Sequence, residues 1–582
     1  MIDRKGILHI PNSNFAYAPD EQHLCVRLRA SKGNLTACTL YYADRVCQST
    51  PIAFSTLPMA EVATDQEFAY YEICFATPYS RVCYFFKLET EDEWSFYYAG
   101  IYTKSMADVT IDGLLLDSRS EYYQYPAILR TELAQVPQWL QSACVYNIFP
   151  DSFADGITSL SGKAKEKTLE GGVVLHSKLG GTLQGITENL NYIRNLGCNC
   201  IDLNPIFTAA SYHQYDTIDY YHVDPCFGTN EDLRVLVEEA HKRNMRVILD
   251  GVFNHCGNRF FAFRDVVEKG KESEYYDWFY DIALPVQVEK GLPKYACFAY
   301  VPEMPKLNTA NPKVQEYFAD VCRYWVGTYQ IDGWRLDVAN EVSKDFWRTF
   351  KRAAREINPE CVLIGEVWEN AQDWLKYDLF DSTMDYDFRR HCRDFFALHT
   401  IDAAEFDARI SDLRMRYPEP YWRAQLNLLD SHDVARFLSL CKGNLDRFMQ
   451  AVVFQMLFPG VPSVFYGDEL GIRGLQEPEY RSPMPWKTGN RDLLEFYCQA
   501  IALHNMAEGA SGRYRSAQAE PGTMLYAFTL EYPDSIITAC FNCGNIAART
   551  SVPEAAEILL QNHFSEHSLN SDGFLVYRQR RI

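Results

Sequence analysis

The sequence predicts an α/β protein: a (β/α)8 TIM barrel with an inserted subdomain after its third strand, an N-terminal β-sandwich and a C-terminal β-domain. Three observations predict it. Eight short apolar stretches between about residues 140 and 470 alternate with amphipathic helical stretches, the pattern of a parallel sheet with helical crossovers. On either side the pattern gives way to short strands separated by turn-like pieces. At 582 residues the chain is also too long for one hydrophobic core.

Residues 1–120 read as short strands at Leu24 to Ala30, Cys38 to Tyr42, Phe68 to Thr77, Arg81 to Glu89 and Trp94 to Gly100. Turn sequences such as Ser31-Lys32-Gly33-Asn34 separate them, which predicts a sandwich. The barrel occupies 121–507. Its strands are placed at Val145 to Pro150, Cys200 to Ile206, Arg246 to Val252, Gly333 to Val338, Val362 to Val367, Ser382 to Tyr386, Gln425 to Asp430 and Val461 to Tyr466. The helices between them carry the required spacing, as in Leu183, Ile186, Leu190, Ile193 and Leu196, and again in Leu233, Leu236, Val237 and Ala240. Cys256 to about Lys306 interrupts the alternation and reads as a subdomain inserted over one side of the barrel mouth. Residues 508–582 return to strands, including Thr523 to Glu531, Ser535 to Phe541 and Gly573 to Arg578.

Fifty-six Lys and Arg against 77 Asp and Glu give a net charge of −21, which disfavours nucleic acid or an anionic membrane as partner and fits a neutral one. The 38 Tyr and 10 Trp suit large cores as well as sugar-stacking platforms, and composition alone favours cores. Eighteen cysteines follow no recurring spacing, so reduced, buried thiols are expected rather than a disulfide framework. No window approaches a membrane span, and Met1-Ile2-Asp3-Arg4-Lys5 leads into no signal-like stretch. The expected location is therefore the cytoplasm, although a secreted form with its signal removed would read the same.

In a barrel of this kind the chemistry sits where the strands end. Four polar clusters occupy such ends: Asp250-Gly-Val-Phe-Asn254-His255, Gly333-Trp-Arg335-Leu-Asp337, Gly365-Glu366-Val-Trp368 and Ser431-His432-Asp433. One such cluster alone has an ordinary structural explanation, as a loop cap or an ion pair. Four in barrel order call for another. Glycosidic cleavage needs one carboxyl kept protonated for the leaving oxygen and a second that attacks the anomeric carbon, roughly 5 to 5.5 Å away in a retaining enzyme. The ends of adjacent strands four and five can supply that separation.

At these residues the chain resembles the α-amylase family of glycoside hydrolases. Met304-Pro305-Lys306-Leu307-Asn308 and Val338-Ala339-Asn340-Glu341 are similar to the neopullulanase, cyclomaltodextrinase and maltogenic amylase subgroup, which also carries a starch-binding-like N-terminal sandwich and a C-terminal β-domain. The resemblance implies Asp337 as nucleophile, Glu366 as general acid and then base, and Asp433 as the carboxylate that holds substrate hydroxyls at the transition state. It implies that Arg335, oriented by Asp250, keeps Asp337 ionised. His255 and His432 would bond hydroxyls of the sugar at the cleavage point, with Tyr215 stacked under it. Trp368 and Glu341 match acceptor-side residues. A zinc site is the rival reading of the histidines, and their separation with no His-x-x-x-His pair argues against it.

Two departures stand out. The family's donor-side segment Gly-x-x-Asp-Pro-x-x-Arg appears as Gly474-Leu-Gln-Glu477-Pro-Glu-Tyr-Arg481, where Glu477 moves the carboxylate by one methylene and Arg481 is kept. The loop Phe149-Pro-Asp151-Ser-Phe-Ala-Asp155-Gly156 keeps few of the oxygens that a calcium ion needs, so no metal or cofactor is expected. The resemblance implies a hydrolase of cyclodextrins, maltodextrins and pullulan that works as a homodimer on α-glucan oligosaccharides. Two alternatives are a glucan transglycosylase and a catalytically inactive glucan-binding protein, the second opposed by the intact Asp337, Glu366 and Asp433.

Overall fold

The computed structural model describes residues 1–49, 52–109, 121–169, 172–506 and 511–581. It divides into two compact units, one of residues 1–136, 401–423 and 513–531, the other of 137–400, 424–512 and 532–582. The sequence boundary near 508 and most of the approach to the one near 120 lie outside the described residues.

In the first unit, His23–Ser31 pairs antiparallel with Phe68–Ala76, and Ala37–Asp44 with Val82–Glu89. The strand that joins them, Ser55–Thr64, pairs with Ala37–Asp44 through its first half and with Phe68–Ala76 through its second, across an irregularity between Glu61 and Ala63. The expected strands thus form, and Ser55–Thr64 is an additional one. Its run Ser-Thr-Leu-Pro-Met-Ala-Glu lacks a clean alternation and contains Pro58, a residue that withholds a ladder donor. Leu24, Val26, Leu28, Tyr84, Phe86 and Leu88, alternate residues of two strands, fill the core.

The expectation of reduced thiols needs one correction: Cys25 and Cys74 form a disulfide. They are direct partners across His23–Ser31 and Phe68–Ala76, a juxtaposition set by strand register that no linear spacing reveals. Among the described residues the other sixteen cysteines form no disulfide.

In the second unit eight parallel strands close into a barrel: β1 Val145–Ile148, β2 Cys200–Leu203, β3 Arg246–Gly251, β4 Gly333–Leu336, β5 Val362–Gly365, β6 Ser382–Asp385, β7 Leu426–Leu428 and β8 Val461–Phe465. All eight fall within the stretches read from sequence. The helix Asn230–Lys242 starts at a capping box formed by Thr229 and Asp232 and buries Leu233, Leu236, Val237 and Ala240. The apolar run from Leu183 to Leu196 is two helices, broken at Asn189, whose side-chain amide turns instead to the carbonyls of Gly156 and Gly185. The insertion after β3 contains the helix Phe261–Lys269 and returns to the barrel through bridges that pair His255 with Lys306 and Phe279 with Leu307. At the end of the chain, Ser568–Arg580 is flanked by antiparallel Ser535–Asn542 and Glu557–Ser565. Gln450 of the helix Leu445–Leu457 donates to the carbonyls of Asn542 and Gly573, fastening this sheet to the barrel's helical shell. Among the described residues no helix is long and apolar enough to cross a membrane.

Candidate active site

Strand register builds the centre of the site. Leu336 and Gly365 are partners across β4 and β5, so the next residue on each strand, Asp337 and Glu366, emerges beside the other. Asp337 N–H donates to the carbonyl of Gly251 at 3.0 Å, and Glu366 N–H to that of Leu336 at 2.9 Å, which extends the ladder to the carboxylates themselves. The end of β5 is closely covered here: a Cβ on Gly365 would meet the ring of Phe380 at 2.6 Å.

Asp250 and Arg335 are likewise partners across β3 and β4, and Arg335 Nη1 donates to Asp250 Oδ1 at 3.0 Å and to Asp337 Oδ1 at 2.9 Å. Its Nη2 lies 2.9 Å from Glu366 Oε1, off the hydrogen-bonding direction, and 4.0 Å from Asp433 Oδ2. One buried guanidinium thus faces four carboxyls. Because unpaired charge is costly in such surroundings, burial pushes Asp250 above the usual carboxylate range against the pull of Arg335. Burial and the neighbouring Glu366 push Asp337 well above the usual carboxylate range, with Arg335 pulling the other way. The pull toward ionisation expected of Arg335 is present, and burial and Glu366 oppose it. Asp433 goes down: burial opposes ionisation, but His432, Arg335 and Arg481 together outweigh it.

Val338, between Asp337 and the short helical turn Ala339–Glu341, has φ +45° and ψ +43°. A β-branched residue in the left-handed region costs about 1–3 kcal/mol. The turn brings Val338 N–H to Glu366 Oε2 at 3.0 Å, while Trp368 Nε1–H donates to Oε1 at 3.0 Å. Both oxygens of Glu366 are held in place. Trp368 is half exposed and stacks on Tyr386 with ring centroids 4.2 Å apart.

Around this centre opens a cavity of about 580 Å3, lined by Asp337, Glu366, Asp433, Tyr215, His255, Glu341, Trp368, Glu477 and Arg481 from the sequence expectation. Asp250, Arg335 and His432 are buried behind its wall. Tyr215 hydroxyl donates to Asp250 Oδ2 at 3.0 Å and its ring stacks on His432, whose Nε2 lies 3.0 Å from Asp433 Oδ2. Arg481 donates to the carbonyl of His432 at 2.8 Å, to Glu477 Oε1 at 2.9 Å and to Asp433 Oδ1 at 3.4 Å, so the lengthened Glu477 carboxylate still meets its arginine. Glu341 Oε2 accepts from Lys306 Nζ at 2.6 Å. His255 is buried, held neutral with its ring pushed down to about 3 by burial, and stacks on Phe298 at 4.9 Å. Among the described residues, His255 Nε2 and Asp337 Oδ2 have no hydrogen-bond partner.

Sequence reasoning missed His213, Phe298 and Glu369, which also line the cavity. His213 stands inside the Tyr212-His-Gln-Tyr215 motif and Glu369 next to Trp368, so adjacency was an available signal; Phe298 comes from the insertion and left none. Asp151, in the loop after β1, accepts from Ser177 Oγ and from the amides of Lys178, Leu179 and Gly180. Among the described residues no group of three His, Cys, Asp or Glu is placed to hold a metal ion.

The family profile for the alpha amylase catalytic domain matches residues 147–497. The chain belongs to the α-amylase family of glycoside hydrolases. A second profile, the alpha amylase N-terminal ig-like domain, matches residues 1–113. Neopullulanase 2 of Thermoactinomyces vulgaris is 41% identical over 92% of this chain and 91% of its own length. A cyclomaltodextrinase of Geobacillus thermopakistaniensis is 37% identical over 94% and 93%. The intracellular maltogenic amylase of Bacillus subtilis is 34% identical over 94% and 92%. A solved cyclomaltodextrinase superposes with a TM-score of 0.90 at 33% identity, covering 99% of this chain and all of its own. In this α-amylase family member, then, the clusters read from sequence at the ends of β3, β4, β5 and β7 converge on one cavity.

Proposed function

We propose that the protein is a retaining α-glucoside hydrolase of cyclodextrins and short maltodextrins, with pullulan a further substrate and some transfer to sugar acceptors. The observation that carries the mechanism is the pairing of Asp337 and Glu366 on one guanidinium at the cavity floor. Two carboxyls on one Arg fork favour the spacing of roughly 5 Å suited to direct attack over the 6.5–9.5 Å that admits a water. Asp337 Oδ2, without a partner among the described residues, attacks the anomeric carbon while Glu366 gives its proton to the glycosidic oxygen, and the leaving sugar departs as an alcohol. Water then gives a proton to Glu366 and its hydroxyl to the same carbon, releasing Asp337. Asp433, kept ionised, holds sugar hydroxyls against the oxocarbenium-like charge, and His255 Nε2 is the other open partner for a hydroxyl.

The substrate class is supported by relatives named neopullulanase and cyclomaltodextrinase. A cytoplasmic location is supported by a relative named intracellular, and a homodimer by the subgroup resemblance. The test incubates purified protein with β-cyclodextrin, pullulan and soluble starch in parallel and follows the first product by proton NMR. Two displacements give the α-anomer, whereas a β-anomer excludes the covalent route. A strong preference for starch over the ring excludes the substrate assignment. Light scattering on the full chain decides the dimer.

A further inference from the structure

Glu369 lines the cavity and has no part in the steps above. It stands three residues beyond Glu366 and accepts Asn340 Nδ2–H on Oε1 at 2.7 Å. Asn340, also in the cavity wall, stands three residues beyond Asp337. The bond ties the turn that leaves β4 to the loop that leaves β5, next to the catalytic pair. Among the described residues, neither Glu369 Oε2 nor Asn340 Oδ1 has a further hydrogen-bond partner. Two oxygens so fixed can accept from two adjacent ring hydroxyls, and an ionised acceptor makes the stronger bond. Beside them the half-exposed ring of Trp368, backed by Tyr386, offers a face to a sugar.

Which sugar this surface meets follows from the proton. Glu366 protonates the leaving oxygen, so the departing sugar lies on the side of Glu366 and of the residues that follow it. The arginine-held Glu477 and Asp433 belong to the loops after β8 and β7, away from this pair. We infer that Glu369, paired with Asn340, is a specificity-determining residue of the acceptor side. It binds hydroxyls of the sugar that leaves and, when a sugar replaces water in the second step, of the sugar that enters. The inference rests on the retaining mechanism proposed above and says which side chain sets its outcome.

The test is a competition between water and an added sugar. Full-length wild type, Glu369→Gln, Glu369→Ala and Asn340→Ala are each given maltotriose with and without excess glucose. Hydrolysis and transfer products are then separated and their linkages assigned. Loss of a charge-assisted bond lowers the transfer-to-hydrolysis ratio about tenfold or more in Glu369→Ala, raises the KM for glucose as acceptor and changes the mixture of α-1,4 and α-1,6 products. Glu369→Gln, which keeps an acceptor oxygen, falls less. Asn340→Ala removes the other half of the pair and carries the test if a Glu369 variant folds poorly. A ratio within twofold of wild type and an unchanged linkage mixture in folded Glu369→Ala and Asn340→Ala would overturn the inference. So would a wild type that hydrolyses maltotriose but never transfers to glucose. A wild type that leaves both maltotriose and β-cyclodextrin intact refutes instead the glucosidase reading beneath it.

Discussion

Trp368 donates its indole N–H to Glu366 Oε1 at 3.0 Å while its ring lies 4.2 Å from that of Tyr386. The residue therefore does two separable things. Trp368→Phe keeps the stack and removes the donor, and kcat/KM on β-cyclodextrin is expected to fall by about three- to tenfold, the worth of one hydrogen bond. Trp368→Ala, which also loses the stack, falls further. Equal rates for wild type and Trp368→Phe would assign the indole N–H no part in placing the acid.

Asp337→Asn and Glu366→Gln each remove a group that acts on the breaking bond. Activity on β-cyclodextrin is expected to drop by about four to six orders of magnitude. Neither variant should melt below wild type, because each takes one carboxyl from a buried set of four that shares one guanidinium. Near-normal turnover by either, with the fold checked by thermal melting, removes that residue from the mechanism.

Asp202 on β2 is buried, accepts from Asn147 Nδ2 at 2.8 Å, and is pushed up to about 7 by burial and then by Asp250. A carboxyl raised in the folded state contributes stability that is full below its unfolded value near 4 and is lost as pH rises through about 7. Between pH 5 and pH 7 this residue alone costs the fold about 2–3 kcal/mol. Asp202→Asn, which never ionises, should therefore gain in Tm relative to wild type as pH rises from 5 to 8. A Tm difference that stays constant over that range argues that Asp202 does not titrate there.

Asp151 spends its carboxylate on one hydroxyl and three backbone amides, which leaves the loop after β1 short of the six or more oxygens that a hard cation takes. Hydrolysis of β-cyclodextrin is expected to survive exhaustive EDTA treatment. Activity lost on chelation and restored by calcium alone would place a carbonyl-rich site elsewhere in the chain.

The amino-acid order by itself determined the barrel, because alternation of apolar strands with helices of 3.6-residue period is a local property. It also placed polar clusters at the ends of β3, β4, β5 and β7, since the mouth of a parallel barrel is where unpaired polar side chains are tolerated and useful. Only the tertiary structure decided what depends on register and on loops closing over long separations. Register set Asp337 beside Glu366 and Cys25 against Cys74. The left-handed turn at Val338 joined β4 to the acid, and the bridge from His255 to Lys306 folded the insertion back so that Phe298 reached the cavity. Glu369 stands next to Trp368 in sequence, which marks its neighbourhood. Its partner became visible only when the chain carried it to Asn340, 29 residues away, because a side chain's partner is a fact of space and not of spacing.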